Sequence, residues 1–436
     1  MKKLKFLLFM CGLFFAGKIF AEENQPVNKI NLEQAVECAL QNNTSVKQAA
    51  ISLNQVKRDY RHSWNNFLPS VNVSASGTES QGFSSDTQNT NLLSTGISAS
   101  LSFTAGLGEK LKSIKESYET GQLDYIDSVN EIKASVTTSF YSILYMEKQV
   151  ELSRESLNTS LEQYRQIETK KRNGLVPEID LLQSQLNAET AKVNLKNTEK
   201  NYVNSLLTFL NDIGYVLNEN EKVSLEGSLD ECDSYLDFTV EAEKLDALVE
   251  KSPTLRSLRA SLSETESSLK QMKLNTYVPS LTLSANVNPY TDTYVKLTDS
   301  SSTSDSWSAT IAFSYALDRL VPGSSTADSI KDLSDSVESL RLTYADTKKS
   351  LKTSALEMIN TIEIAKETLE NYRQNVEIAK KTYDLALIAY KNGSKEYTAL
   401  KNVQDSYESA KLQLNNQQLS IISSVIQLQN LLGLIK

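Results

Sequence analysis

Four short segments of the chain alternate between apolar and polar residues with a period of two. They cover about residues 71–76, 93–103, 281–288 and 307–315, and the polar segments between them, about 77–92 and 290–305, are expected to be loops. This period is that of a β-strand, whose successive side chains point to opposite faces. The polar positions are mostly small and hydroxylated rather than charged. Ordinary half-buried sheets also alternate, but four such segments together favour transmembrane strands that are apolar toward lipid and polar toward a wet lumen.

Two other stretches indicate very long helices. Residues 324–392 contain neither Gly nor Pro, and only Gly121 interrupts the stretch from 109 to 173. Apolar residues recur every seven positions in both, which predicts left-handed coiled coils. The first series is Ile143, Val150, Leu157 and Tyr164, and the second is Ile362, Leu369, Val376, Tyr383 and Tyr390. Shorter helices are expected at about 31–66, 178–213, 241–276 and 394–432.

The chain contains an internal repeat. Asn66–Ser70 recurs 210 residues later as Thr276–Ser280, and the Asn173-Gly174 pair recurs 219 residues later as Asn392-Gly393. The change of offset indicates a nine-residue insertion near 320–326. Each repeat is predicted to contain a helix, two strands, a long helix and a further helix. The predicted organisation is a first repeat at 22–230 and a second at 231–436.

The first 21 residues have the composition of a secretory signal peptide. Lys2, Lys3 and Lys5 precede an apolar run from Phe6 to Ala16, and Ala21 provides a small residue at the cleavage point. That run is too short to span a bilayer, which takes about 20 residues. The sequence therefore predicts a secreted chain whose mature part begins at residue 22.

Composition excludes most enzyme classes and nucleic-acid binding. The chain has 14 Gly, 7 Pro, one His and a formal net charge of −9. A metal site with several histidine ligands is excluded because His62 is the single histidine, and a Ser-His-Asp triad would have to use His62 as its base. No Gly-rich phosphate loop occurs, so no enzyme activity, metal or cofactor is predicted. Two cysteines of the mature chain, Cys38 and Cys232, either pair or remain separate thiols.

Four strands cannot close a membrane barrel, because known barrels have at least about eight strands. An open sheet edge in lipid would leave backbone N–H and C=O groups without partners. The chain is therefore expected to oligomerise in order to complete its barrel. The predicted fold class is mainly α, with long periplasmic coiled-coil helices and a small transmembrane β-barrel to which each chain contributes four strands.

Several motifs in this order resemble the TolC-type outer-membrane factor family, also called outer membrane efflux proteins. The resemblance covers nearly all of the mature chain. It is sharpest at Arg172–Val176 followed by Ile179–Gln183, and at Ala389–Ser394 followed by Leu400 and Val403. It implies a homotrimer with a twelve-stranded barrel in the outer membrane and a helical tunnel in the periplasm. It also implies partners: a periplasmic adaptor, and an inner-membrane pump or ABC transporter.

The resemblance assigns roles to residues at the far tip of the tunnel. Asp180, Tyr390 and Lys395 match a network that holds the tips closed, and Ala399 and Asn402 match the constriction. The best-studied members carry two aspartates at the constriction, so the resemblance does not extend to a cation-selective entrance. The expected adaptor contacts are Gly174, Leu175, Val176, Gly393 and Ser394.

The resemblance implies an outer-membrane exit duct of a tripartite efflux pump for small molecules. The same duct would also serve a type I protein secretion system, because the inner-membrane partner determines the cargo. A periplasmic coiled-coil scaffold without a pore is a third possibility. The scaffold explains the heptads, but it leaves the four alternating strands without a role.

Overall fold

The computed structural model describes residues 27–80, 90–217, 221–294 and 302–435. The predicted signal peptide, 1–21, lies outside these residues. The first half of the chain contains β1 (Val27–Asn31), α1 (Leu32–Asn42), α2 (Thr44–Arg61), β2 (Ser70–Ser80), β3 (Thr90–Phe103), α3 (Leu107–Arg172) and α4 (Glu178–Asp212). The second half contains β4 (Lys222–Glu226), α5 (Cys232–Leu236), α6 (Ala242–Val249), α7 (Pro253–Tyr277), β5 (Ser280–Tyr294), β6 (Ser302–Ser314), α8 (Ser325–Lys391) and α9 (Tyr397–Leu431).

The four predicted strands form one antiparallel sheet in the order β2-β3-β5-β6. The register aligns the apolar positions across the strands: Val73 lies opposite Ile97, Ile97 opposite Val287, and Val287 opposite Trp307. The polar positions align in the same way, and Ser98 lies opposite Asn286. One face of the sheet is therefore apolar and the other is polar, as the alternation predicts.

The strands are longer than the alternation indicates. The segments at 77–92 and 290–305 were expected to be loops, but the β2–β3 ladder continues to Ser80 opposite Thr90. The β5–β6 ladder likewise continues to Thr293 opposite Ser302. The expectation is wrong at these ends because Ser, Thr and Asp side chains do not prevent ladder hydrogen bonds. Residues 81–89 and 295–301 lie outside the described parts of the chain.

The two long helices are confirmed, with 66 residues in α3 and 67 in α8. At 1.5 Å per residue each is about 100 Å long. α3 packs along α4, α8 packs along α9, and α3 also packs on α9. Ile143 and Val150 are buried in α3, as are Ile362 and Leu369 in α8, which is what their seven-residue spacing predicts. Among the described helices, none contains an apolar stretch long enough to cross a membrane.

The single helices expected at 31–66 and 241–276 are each broken. Asn43 ends α1 with its backbone N–H on Ala39 and begins α2 by accepting the Ser45 N–H at 2.8 Å through its side chain. In the second half, the Ser252 side chain accepts the Leu255 N–H, and Pro253 occupies the first turn of α7. Asn and Ser are favoured at helix N-termini, and Pro fits the first helical turn. Such residues therefore start a new helix inside an otherwise continuous pattern.

A strand pair that the sequence does not predict joins the two halves midway along the helices. β1 and β4 pair in parallel, from Val27 opposite Lys222 to Asn31 opposite Glu226. The largest apolar core lies beside this pair and includes Phe140, Tyr141 and Ile421. The Tyr141 hydroxyl donates to Glu231 at 2.6 Å. This mid-region therefore holds the helices of the two repeats together, because its core includes residues of α3, α4, α8 and α9.

Cys38 and Cys232 remain separate thiols, which selects one of the two alternatives left by the sequence. Cys232 is buried in the mid-region core. Its burial, with the nearby Asp233 carboxylate as a smaller cause, raises the pKa of its thiol to about 11. A thiol with a raised pKa is a poor nucleophile at neutral pH. Cys232 is thus a packing residue.

Candidate functional site at the helical tips

The far ends of the two helix pairs are closed by tight turns of the same construction. Gly174 follows α3 with φ +70°, and Gly393 follows α8 with φ +74°. In the first turn the Leu175 N–H donates to the Lys170 carbonyl at 2.9 Å, and in the second the Ser394 N–H donates to the Ala389 carbonyl at 2.9 Å. Glycine is preferred here because a positive φ strains residues with a Cβ atom.

Both turns present their residues outward. A Cβ atom added to Gly174 or Gly393 would meet no atom within 4 Å. Leu175 is 71% exposed, which is a large exposed fraction for a leucine side chain. Four of the predicted adaptor contacts, Gly174, Leu175, Gly393 and Ser394, are exposed at the ends of the turns. The fifth, Val176, is half-buried and packs against the apolar cluster of Ile167, Tyr390 and Leu400.

A cleft of about 620 Å³ separates the two turns. The residues around it include Leu175, Val176, Asp180, Tyr390, Gly393 and Lys395. The structure therefore brings together the predicted network and most of the predicted adaptor contacts, although they come from both repeats. Ser394 lies on the second turn and is exposed, but it does not line the cleft.

The floor of the cleft is an apolar cluster with aromatic rings. Tyr390 and Tyr397 lie with their ring centroids 6.3 Å apart, above the buried Ile167 and Leu400. The Lys170 ammonium lies 4.1 Å from the centroid of the Tyr390 ring, a cation–π arrangement. Through this contact the C-terminal end of α3 is held against the C-terminal end of α8.

Tyr390 has a buried hydroxyl that makes no hydrogen bond among the described residues. The residue is only 5% exposed. Burial is the largest cause that raises the pKa of Tyr390, and the nearby Tyr397 and Asp180 raise it further. The hydroxyl therefore keeps its proton at neutral pH and is an unused donor. Buried polar groups are rarely left unpaired, so this hydroxyl is available as a donor at the cleft.

The charged residues of the predicted network are separate within one chain. Asp180 is half-buried near the start of α4, while Lys395 is exposed after the second turn. In the described residues these two side chains form no ion pair, and at this end Lys171 instead pairs with Glu178 across the first turn at 3.7 Å. Among the described residues, neither Asp180 nor Lys395 has an ion-pair partner.

Ala399 and Asn402 lie in the first turns of α9, just beyond the cleft. They are three positions apart, so they share one face of the helix. Ala399 is half-buried and Asn402 is exposed. These two positions therefore offer one methyl group and one amide, and neither of them is a carboxylate.

The structure also shows a polar contact that the sequence does not reveal. Gln163 and Gln404 are both buried, and the Gln163 amide donates to the Gln404 carbonyl oxygen at 2.9 Å. Gln404 in turn donates to Glu408 at 2.7 Å. The pair joins α3 to α9, and therefore the first coiled coil to the second, about one helical turn above the tip cluster. The only sequence signal was a glutamine at an inward helical position.

A model of the outer membrane efflux protein family matches the chain over residues 35–214 and 245–434. One range falls within each of the two predicted repeats. A comparison with curated proteins gives no significant match.

Solved structures share the fold along nearly the whole chain. The CmeC outer membrane channel of Campylobacter jejuni is 15% identical, with a TM-score of 0.76, 92% of this chain covered and 85% of CmeC covered. The outer membrane protein VceC of Vibrio cholerae is 15% identical, with a TM-score of 0.71 and coverage of 92% and 96%. The open state of the MtrE outer membrane channel of Neisseria gonorrhoeae is 17% identical, with a TM-score of 0.70 and coverage of 92% and 88%.

The resemblance seen in the motifs, the match of the family to both repeats and the shared fold agree. The chain belongs to the outer membrane efflux protein family, the channel proteins that lie in the outer membrane and extend into the periplasm.

Proposed function

We propose that three copies of the chain assemble side by side into an exit duct whose wall is continuous around its circumference. The observation that carries the proposal is the sheet itself, whose edge strands β2 and β6 are both unpaired in one chain. In lipid, unpaired edge groups cost several kilocalories per mole each, so the edges must pair. β2 and β6 run in opposite directions, so β6 of one copy can continue the antiparallel ladder with β2 of the next. Three copies supply twelve strands.

The helices support the same closure. α4 and α8 lie at the two ends of the helical layer, since α3 and α9 pack between them. Each end helix carries an exposed apolar stripe: Ile179, Leu182, Leu186 and Val193 on α4, and Ile364, Ile378, Leu385 and Ile388 on α8. Exposed apolar surface of this extent is characteristic of an interaction site. Contact between α4 of one copy and α8 of the next would bury both stripes and close a tunnel below the barrel.

The helical tips are placed to shut the periplasmic end of this tunnel when the duct is at rest. Asp180 and Lys395 make no pair within one chain and carry opposite charges, so we assign them to contacts between copies, together with the Tyr390 hydroxyl. A single exposed ion pair stabilises by only about 0.2–1 kcal/mol, but three symmetric copies act together. The closed state is then favoured by up to roughly 3 kcal/mol, or about a hundredfold. Ala399 and Asn402 form a constriction without a ring of carboxylates.

The exposed turns are the docking surface for the rest of the pump. Gly174, Leu175 and Val176 on one turn, and Gly393 and Ser394 on the other, are assigned to a periplasmic adaptor that connects the duct to an inner-membrane pump. The cargo proposed is small molecules, in keeping with the family to which the chain belongs. The protein does no chemistry of its own in this proposal.

Drug resistance and protein secretion distinguish the two uses of the duct. The chain is expressed together with a periplasmic adaptor and an inner-membrane pump in a host that lacks its own outer-membrane efflux channel. Restored resistance to several small toxic compounds is the expected result, with the same host carrying the adaptor and pump but not this chain as the control. Secretion of a co-expressed type I substrate without restored resistance would overturn the cargo proposal. A folded monomer in detergent, measured by light scattering, would overturn the duct itself.

A further inference from the structure

The connection between the last strand and the last long helix is longer than its counterpart in the first repeat. Only residues 104–106 separate β3 from α3, whereas residues 315–324 separate β6 from α8. The longer connection contains a short 3-10 helix, Leu317–Leu320, and a turn at Gly323 with φ +81°. This is the insertion that shifts the repeat offset.

The inserted connection is held in place, but its apolar side chains are not covered. The 3-10 helix rests on the ends of α7 and α8. The Ser324 N–H donates to the Val321 carbonyl at 3.0 Å, and the Ser324 side chain caps α8 at the Ala327 N–H. Leu317 is nevertheless 68% exposed, Val321 is 56% exposed and Leu320 is 42% exposed. A segment that is held in place and exposes three apolar side chains is typical of a protein–protein contact surface.

A second group of exposed apolar side chains lies just before β2, the first strand of the four-stranded sheet. A 3-10 helix, Ser63–Phe67, leads into β2, and Trp64, Phe67 and the following Leu68 are all about half exposed or slightly more. Both groups are at the same level of the molecule, because β2 begins and β6 ends on the side of the sheet that faces the helices. They also lie at opposite edges of the sheet.

We propose that the inserted connection is a clamp between copies: Leu317, Leu320 and Val321 of one copy pack on Trp64, Phe67 and Leu68 of the next. The inference rests on the proposed trimer, in which β6 of one copy pairs antiparallel with β2 of its neighbour. That pairing brings the residues after β6 next to the residues before the neighbouring β2. The clamp partner is therefore a second copy of this chain, and the contact repeats at each of the three junctions.

The position of the insertion favours a neighbouring copy over lipid as the partner. β3 is an inner strand, and its neighbours β2 and β5 belong to the same chain, so its short connection to α3 faces no junction. β6 is an edge strand, and its connection carries three exposed apolar residues that the connection from β3 to α3 lacks. A lipid anchor would serve equally well after either strand, whereas a clamp between copies is useful only after the edge strand.

Disulfide trapping tests the clamp. In a background of Cys38→Ser and Cys232→Ala, the pair Phe67→Cys and Leu320→Cys is oxidised in membranes and run on a non-reducing gel. We expect most of the protein to appear as a covalent trimer, while each single variant remains monomeric after denaturation. The control pair, Phe67→Cys with Ile126→Cys, also uses exposed positions, but Ile126 lies far down α3 and should not cross-link.

The outcomes separate the clamp from the trimer on which it rests. If light scattering shows a trimer and the pair does not cross-link, the clamp is wrong and the duct proposal stands. If a label on Leu320→Cys in that trimer is quenched by a lipid-soluble quencher, the connection faces lipid and the clamp is again wrong. If no trimer forms even without the cysteine pair, the duct proposal fails. With the clamp present, Leu317→Ser plus Leu320→Ser should lower the temperature of trimer dissociation, and Ile126→Ser should not.

Discussion

A charge placed on the apolar face of the sheet should weaken insertion far more than one placed on the polar face. Ile311 lies on the apolar face, opposite Leu283, and is four residues from each of Trp307 and Tyr315. Aromatic residues flank the lipid-exposed band of membrane barrels, so Ile311 is expected near the middle of the bilayer. Thr310 is its neighbour on the polar face, opposite Ser284.

The magnitude follows from the environment of each side chain. Ile311 is 70% exposed in the single chain, so its replacement leaves no internal cavity, and the cost is that of placing a guanidinium in lipid. An arginine at the midplane costs about 2–4 kcal/mol in each copy. Because about 1.4 kcal/mol corresponds to a factor of ten, the folding equilibrium of Ile311→Arg should fall by roughly 30-fold or more. Thr310→Arg faces the lumen and should cost little.

Both variants can be measured by reversible denaturation in lipid vesicles, with heat-resistant trimer on gels as a second readout. The comparison is internal, since the two residues are adjacent and receive the same substitution. Equal loss of stability in Ile311→Arg and Thr310→Arg would refute the assignment of the two faces. A larger loss in Thr310→Arg would mean that the sheet is inverted relative to the lipid.

Three further predictions concern the helical tips. Gly393→Trp should abolish drug resistance at normal trimer levels. Gly393→Ala has the same strained φ but adds little bulk, so it should retain most of the resistance. An equal loss of resistance in both variants would attribute the effect to backbone strain alone. Asp180→Ala with Lys395→Ala should raise single-channel conductance in planar bilayers without an adaptor, and conductance identical to that of the wild type would mean that apolar packing closes the tip. Gln404→Leu leaves the buried Gln163 amide unpaired and should cost about 1–3 kcal/mol in chemical denaturation, and adding Gln163→Leu should recover part of that loss. Purely additive losses would show that the two amides are not coupled.

Local patterns in the sequence were sufficient for the four strands of the sheet and for the two long helices. The alternation predicted all four strands, and the register then aligned Val73, Ile97 and Val287 on one face. Of the nine residues in the two seven-residue series, five are buried: Ile143, Val150, Ile362, Leu369 and Tyr390. These properties depend on side chains a few residues apart, where the backbone geometry alone determines which face each one occupies.

Helix ends were predicted less well than helix interiors. Asn43 and Ser252 break segments that were expected to be continuous, because a single side-chain hydrogen bond to the backbone is enough to start a new helix. The Asn-Gly pair that recurs at the end of each long helix marks two places where the structure has a glycine with positive φ.

Only the tertiary structure showed which distant segments meet. The parallel pairing of β1 with β4 joins residues nearly 200 positions apart, and Gln163 lies 241 positions from Gln404. The tip cleft likewise joins Asp180 from one repeat with Tyr390 from the other, yet keeps Asp180 unpaired with Lys395 within the chain. Such contacts depend on the path of the whole chain and on how the helix pairs pack against each other. Periodicity along the sequence carries no information about that path, because it reports which face of an element is apolar and not which other element covers it.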